Sequence, residues 1–347
     1  MRVLVAPDGF GGTLTAVEAA EAIAAGWRDV APGTDLDLAP LSDGGPGFVD
    51  VLYAGLGGDL VDVEVSDPLG RPVVAQFLVA GGTAYVESAQ ACGLHLMAPD
   101  ERDPVNASTR GVGRLLQAAL RRNPERIVVG LGGSGTNDGG RGMWEALGGR
   151  VEQDVALVAA TDVDNPLLGP NGASAVFGPQ KGADRATVLD LDDRLRAWAD
   201  ELEWEVGQLG LRDRPGAGAA GGLGFALFAL GAERASGLDL VAEAVGLDAR
   251  VAAADLVVTG EGSFDGQSLR GKAPHGVARL AQQHGIPCVV VAGQAEVGRR
   301  DAAAAGIEEI YSAAAVLGSA QAAIEAGGAG VRRAAAQAAR AWTPTTG

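Results

Sequence analysis

Five loops in this chain of 347 residues combine glycine with carboxylates, amides or lysine. Ala6-Pro7-Asp8-Gly9-Phe10-Gly11-Gly12-Thr13 follows a first apolar run, and Ser42-Asp43-Gly44-Gly45 comes just after the second. The third is Gly132-Gly133-Ser134-Gly135-Thr136-Asn137-Asp138-Gly139-Gly140. The fourth spans 162–182 and contains Asp162, Asn165, Gln180 and Lys181; the fifth runs from Gly260 through Glu261 and Asp265 to Ser268. Together they carry the parts that phosphoryl transfer requires. Glycines let backbone N–H groups approach phosphate oxygens, and a following helix N-terminus favours negative charge. Carboxylates hold Mg²⁺, which takes one or two of them together with substrate phosphates. Lysine stabilises charge on the transferring group. Singly each loop is a weak signal, since Asp8, Asp43 and Asp138 read equally well as caps or Asx-turn residues.

Lysine usage sharpens the reading. Of the 27 basic residues only Lys181 and Lys272 are lysines; the other 25 are arginines. Both lysines sit beside glycine, in Gln180-Lys181-Gly182 and Gly271-Lys272-Ala273. A compact ammonium and a planar guanidinium are not interchangeable. Two survivors of compositional drift is the bland alternative.

Three other chemistries fit poorly. Residues 266–273 have P-loop spacing, but Ala273 stands where a Mg²⁺-binding Ser or Thr belongs, and the strand ends several residues too early. The first glycine loop lacks GxGxxG, and no acidic residue closes a second strand. His275 has no Ser or Asp neighbour that would suggest a hydrolase triad.

The elements that position these loops follow from periodicity. Residues 2–6 and 35–39 read as strands around an alanine-rich helix at about 15–29, which is βαβ grammar. Strands at 255–259, 288–292 and 307–311, a helix at 273–284 and a final alanine-rich helix repeat it. Between them, residues 60–88 hold three β-rich runs separated by turn signals, an antiparallel meander. A helix at 110–122, a strand at 126–130 and long glycine-rich loops follow. The expectation is a discontinuous parallel-sheet α/β domain, 1–58 plus 240–347, with a second mixed α/β domain, 59–239, inserted, and a ligand in the cleft between them. The Gly/Ala-rich segment 214–235 is explained as well by tight helix packing as by a site.

Composition narrows the partners. Hydrophobic content of 47% and 20% charge describe a globular chain with a sizeable core. A net charge of −17 argues against nucleic acid, which needs a basic surface, but not against a small anion in a local basic pocket. Cys92 and Cys288 are isolated, and His95, His275 and His284 have no metal-ligand spacing. With no signal-peptide pattern and no apolar run near the ~20 residues of a membrane span, the expectation is a cytoplasmic protein without a membrane partner.

Several long motifs in order resemble the class I glycerate kinase family, bacterial enzymes that phosphorylate glycerate with ATP. They are APDGFGGTL, SDGGPG, GGSGTNDGGRGM (132–143), NPLLGPNGASAVFGPQKGA (165–183), PGAGAAGGLG (215–224) and TGEGSFDGQSLRGKAP (259–274). The resemblance runs nearly end to end. It implies two α/β domains, one inserted in the other, the parallel sheet being flavodoxin-like or Rossmann-like. ATP and glycerate would be the substrates, Mg²⁺ the cofactor and 2-phosphoglycerate the product, in a monomer or homodimer. Carried over by position, Lys272 and Lys181 would stabilise charge. Asp138 and Asp265 would hold Mg²⁺ or activate the glycerate hydroxyl, with Asp162 and Glu261 as further metal ligands. Asp8, Asp43, Gly44, Gly45, Ser134, Thr136, Asn137, Asn165, Gln180 and Ser268 would bind substrate or nucleotide. The chain departs from the family pattern at Gly11 (lysine there), at Pro46 and Arg114 (glutamate), at Ser263 (arginine), and by a missing stretch between Gly149 and Thr161. A kinase for a related hydroxy acid and a ligand-binding homologue without catalysis are the alternative readings.

Overall fold

The run Arg2-Val3-Leu4-Val5-Ala6-Pro7 has no polar alternation after Arg2, which suits a strand covered on both faces. In the computed structural model, which describes residues 1–151, 154–269 and 272–343, it is the strand β1 (Arg2–Pro7), and Val3 to Ala6 are fully buried. A helix, Ala16–Val30, returns the chain to β2 (Asp35–Leu38). Six strands of a second sheet follow: β3 (Asp59–Ser66), β4 (Pro72–Ala80), β5 (Thr83–Glu87), β6 (Arg126–Gly130), β7 (Ala156–Ala160) and β8 (Glu233–Ala235). The chain then rejoins the first sheet with β9 (Leu256–Gly260), a two-residue β10 (Ser263–Phe264), β11 (Cys288–Ala292), a two-residue β12 (Gln294–Ala295) and β13 (Glu309–Ser312). It divides into two compact units, residues 1–42, 50–55 and 241–347, and residues 43–49 and 56–240.

The first unit holds a five-stranded sheet in the order β13-β11-β9-β1-β2, every pair parallel. A short parallel pairing of β10 with β12 ties together the loops that leave β9 and β11. Over one face lie helices Ala16–Val30 and Gly328–Trp342. Ile23 and Trp27 pack with Val258, Val291, Val331 and Ala338 in one fully or nearly fully buried core. The first of these helices begins at a capping box, Thr15 and Glu18, which satisfies two of its otherwise unbonded N–H groups.

The second unit's sheet has the order β3-β4-β5-β6-β7-β8. Its first three strands form the antiparallel meander and the rest run parallel. The apolar stretch Ala156–Ala160, read above as part of the glycine-rich loops, is a strand paired with β6. The Gly/Ala-rich segment becomes helix Ala219–Ala229, buried throughout, with positive φ at Ala220, Gly221 and Gly222. Residues without bulky side chains let this helix reach another backbone: a Cβ on Gly221 would lie 2.0 Å from the Thr136 carbonyl oxygen.

One contact tests the packing of the first unit. A Cβ on Gly26 would lie 2.2 Å from the carbonyl oxygen of Arg332 on the facing helix. Helix propensity alone predicts that Gly26→Ala stabilises by about 1 kcal/mol. Overpacking costs about 1–3 kcal/mol and should win, because the obstructing atoms are backbone. Gly26→Ala should therefore lower the melting temperature by several degrees, while Gly33→Ala, which meets nothing within 4 Å, changes stability by no more than about 0.5 kcal/mol. A Gly26→Ala variant as stable as the wild type would contradict the close contact.

Candidate active site

In the second unit the loop after β6 is organised by two buried or partly buried charges. Asp138 accepts hydrogen bonds from the N–H (2.8 Å) and hydroxyl (2.8 Å) of Thr109, from Gly140 N–H (3.0 Å) and from Gly142 N–H (3.1 Å). Desolvation raises its carboxyl above the ordinary range, and these donors oppose the rise. Both oxygens are engaged, so the carboxylate fastens its own loop to the start of helix Arg141–Leu147 and to Thr109.

Lys181 is 1% exposed. Its ammonium donates to Ser134 Oγ at 3.0 Å and to the Thr136 carbonyl at 2.6 Å. Burial holds it down to about 8, against the favourable field of Asp138. Beside it lies Cys92, whose thiol burial pushes up to about 12, so it is no nucleophile at neutral pH. Asn137 donates through Nδ2 to Ser174 Oγ at 2.9 Å, while its buried Oδ1 has no partner among the described residues. The structure thus brings Ser134, Thr136, Asn137, Asp138 and Lys181 together.

The remaining candidates of this unit are spread over several loops. Gly44 and Gly45 press against the strand ends: a Cβ on Gly44 would meet Ala160 O at 2.8 Å, and one on Gly132 would meet Gly45 Cα at 2.5 Å. Asp43 accepts from Gly45 N–H at 3.0 Å. Asp162 accepts from Leu238 N–H at 3.2 Å; its carboxyl is raised by desolvation, with repulsion from Asp43 and Asp239 adding to it. Asn165 donates to the Asn171 carbonyl at 2.7 Å. Gln180 is exposed and offers its carbonyl to Arg102 at 3.2 Å.

In the first unit the loops leaving β1 and β9 carry the other candidates. Asp8 turns its carboxylate back onto Gly9 N–H at 2.7 Å. Glu261 is 5% exposed, accepts from the Lys272 ammonium at 3.1 Å through Oε2, and has a buried Oε1 without a partner among the described residues. Lys272 itself is exposed and stands at the N-cap of helix Ala273–His284. Asp265 accepts from Gln267 N–H at 2.7 Å, and that bond first, then Ser268 N–H and Lys272, holds its carboxyl below the ordinary range. Ser268 is fully buried and accepts from Asp265 N–H at 2.9 Å. Asp265 and Ser268 therefore close a turn. Arg270 and Gly271 of the P-loop-like stretch lie outside the described residues.

The departures from the family pattern separate. Gly11 and Ser263 line one cavity of the first unit. Pro46 packs on Gly133 of the second, and Arg114 is exposed on helix Arg110–Leu120. Between Gly149 and Thr161 the chain passes from helix Arg141–Leu147 into β7, with residues 152 and 153 outside the described residues.

Among the described residues no three His, Cys, Asp or Glu side chains converge as a metal cage. Asp138 has no oxygen to spare for an ion. Glu261 has one, and a Mg²⁺ that arrives with phosphates needs only one or two carboxylates. Sequence reasoning missed Thr109, Ser174, Cys92 and Glu87. The last is 3% exposed and accepts from Gly47 N–H at 3.0 Å, which pins the loop behind Asp43. Each acts on a residue 29 or more positions away, as with Thr109 and Asp138, and no local pattern announces that.

Comparison with known proteins agrees over nearly the whole chain. The sequence pattern of the Glycerate kinase family matches residues 3–154 and 149–343. A glycerate kinase of Bacillus subtilis is 43% identical over 345 residues, covering 90% of this chain and 90% of its own. A glycerate 2-kinase of Escherichia coli is 38% identical over 325 residues, covering 84% of this chain and 85% of its own. A crystal structure from Salmonella typhimurium LT2, provisionally named glycerate kinase 2, matches with a TM-score of 0.78 at 36% identity, covering 98% of each chain. With the motif loops built as described and the match running from end to end, this protein belongs to the glycerate kinase family.

Proposed function

We propose that this protein transfers the γ-phosphoryl group of ATP to glycerate, with the 2-hydroxyl as acceptor. Family membership supports the reaction, and one observation in this chain carries it. Among the described residues Glu261 keeps a buried oxygen without a donor, beside an exposed lysine that stands at the start of a 12-residue helix. A helix N-terminus and a lysine together attract phosphate. A phosphate that drew Lys272 from Glu261 would leave that carboxylate to hold an accompanying Mg²⁺, which when bound would neutralise phosphate charge. Lys272 then acts on the transferring group, where charge develops.

Lys181 and Asp138 are positioning residues in this reading. The ammonium fixes Ser134 and the Thr136 carbonyl, the carboxylate fixes the start of the next helix, and together they hold Asn137 ready for a polar ligand group. Asp265 and Ser268 shape the turn that leads to Lys272. The order of the parallel sheet, counted over its own strands, is 2-1-3-4-5, and we read it as a flavodoxin-like doubly wound sheet.

The decisive assay couples ADP release to a panel of small hydroxy acids and locates phosphorus in the product by NMR. Glycerate should be the best acceptor, with phosphate on its second carbon. Preference for another acid would mean a retuned site, and nucleotide binding without turnover on any acid would mean lost catalysis.

Lys272→Arg keeps the charge but alters its shape and reach. It should lower kcat by about 10²-fold or more, the scale of one preorganised transition-state contact. A folded Lys272→Arg enzyme with near-normal kcat would exclude Lys272 from the chemistry.

Lys181 also predicts a pH dependence of stability. Its native value of about 8 lies below the 10.5 of a free lysine. Between those values the unfolded chain holds a proton that the native protein has lost, so rising pH favours the native state. The stability of wild type relative to Lys181→Met should therefore increase from pH 8 to 10.5, by up to about 3 kcal/mol. The Cys288 thiol titrates alike in both proteins and cancels in the difference, and Cys92, which interacts with Lys181, is replaced by Ser in both. Urea unfolding across this range reads it; a flat difference would mean that the ammonium is not desolvated.

A further inference from the structure

In the first unit the strand order reverses between β1 and β9. From β1 the sheet continues outward to β2, and from β9 it continues through β11 to β13. Loops leaving adjacent strands diverge at such a point and open a crevice at their carboxyl ends. A cavity of about 280 Å³ occupies this place. The loop after β1 contributes Phe10 and Gly11, the loop after β9 contributes Ser263, and the loop after β11 contributes Gln294. Ile324 and Val331 of the C-terminal helices supply much of the apolar wall.

The chemistry of this lining is specific. Among the described residues none of its side chains is charged. An anion desolvated there would lack a counter-charge, at a cost of several kcal/mol. A small fixed polar set is present: Gln294 donates through Nε2 to Ser263 Oγ at 3.0 Å, and its backbone N–H bonds Gly262 O at 2.9 Å. The volume lies near the lower end of the range for ligand pockets, which suits one ring system rather than a whole nucleotide. Ile324 is 57% exposed, an apolar side chain kept in water at the border of an apolar cavity. Gly262 and Ser263 follow Glu261 directly in the chain, and Glu261 holds the Lys272 ammonium.

We infer that this cavity receives the purine base of the nucleotide, its phosphates lying toward Glu261 and Lys272. A neutral ring on an anionic tail is the ligand that an uncharged cavity beside a lysine selects. The choice of a nucleotide among such ligands rests on the kinase reading above.

Calorimetric titration with ATP and with inorganic tripolyphosphate tests this without turnover. Ala320→Trp, which fills the cavity from a half-buried position, should weaken ATP at least about tenfold, a loss of roughly 1.4 kcal/mol. Ile324→Ser removes an exposed apolar side chain and should fold as the wild type does; it should weaken ATP about threefold or more. Tripolyphosphate affinity, and KM for glycerate at saturating ATP, should stay unchanged in both variants. ATP binding as in wild type in the folded Ile324→Ser and Ala320→Trp proteins would overturn the assignment. Equal losses for ATP and tripolyphosphate, or a raised glycerate KM alone, would overturn it too. If Ala320→Trp fails to fold, Ile324→Ser decides. The two readings fail differently: ATP binding that responds to the cavity variants without phosphorylation of any acid sinks only the kinase, and turnover with an indifferent cavity sinks only the base site.

Discussion

The ammonium of Lys181 forms no ion pair among the described residues, yet it is almost completely buried. Desolvating such a cation costs several kcal/mol, and hydrogen bonds to a charged donor return about 1.5–3 kcal/mol each. Two of them leave a shortfall that the negative field of Asp138 must reduce. The loop from Ser134 to Gly140 therefore cannot relax by much. If the Thr136 carbonyl or the Ser134 hydroxyl withdraws, a buried charge loses its partners. Its backbone is in turn fixed from two sides, by Gly221 against Thr136 and by Thr109 against Asp138. Arginine could not replace this lysine in place. Its five N–H donors would meet the same two acceptors, and the remainder would be buried unsatisfied.

The other lysine inverts these conditions. Lys272 is exposed and paired with a carboxylate, at a helix N-terminus where the backbone already carries partial positive charge. Its partner Glu261 is nearly buried while the ammonium itself is exposed, so an anion of higher charge can draw the lysine away at small cost only if another cation takes its place at the carboxylate. The unpartnered oxygen of Glu261 is the expensive part, since a buried acceptor without a donor costs about 1–3 kcal/mol. Folding alone gains nothing from that arrangement. A chain that retains only two lysines uses one to hold a loop still and keeps the other loosely held.

How much of this was legible beforehand depended on range. Apolar runs such as Arg126–Gly130 and Cys288–Ala292 gave strands at their observed bounds because burial on both faces leaves no other pattern. The meander at β3 to β5 followed from its turns. The Asp and Ser residues of the five loops were visible as candidates, but their partners were not. Asp138 reads as well as a cap or Asx-turn residue as it does as a ligand, and its partner Thr109 arrives from 29 positions away. The Gly/Ala segment reads as packing, and it is packing, but what it packs against is the backbone of the candidate loop. Ala156–Ala160 was lost among glycine loops because a five-residue strand with one exposed end carries little periodic signal.

The departures at Gly11 and Ser263 gain meaning from the cavity they share. Replacing a cation by glycine could be a simple deletion of a side chain, with the loop unchanged. Here Gly11 has φ +52° and a Cβ on it would meet nothing within 4 Å among the described residues. The left-handed conformation costs an ordinary residue roughly 1–2 kcal/mol, so a lysine introduced at 11 would meet open space but a strained backbone. Ser263 is likewise committed, its hydroxyl receiving the Gln294 amide across the β10–β12 pairing. The uncharged lining is thus set by the backbone conformation at one wall and by a hydrogen bond at the other. Both arrangements keep the cavity neutral, and both belong to the loops that leave β1 and β9, where the sheet changes direction.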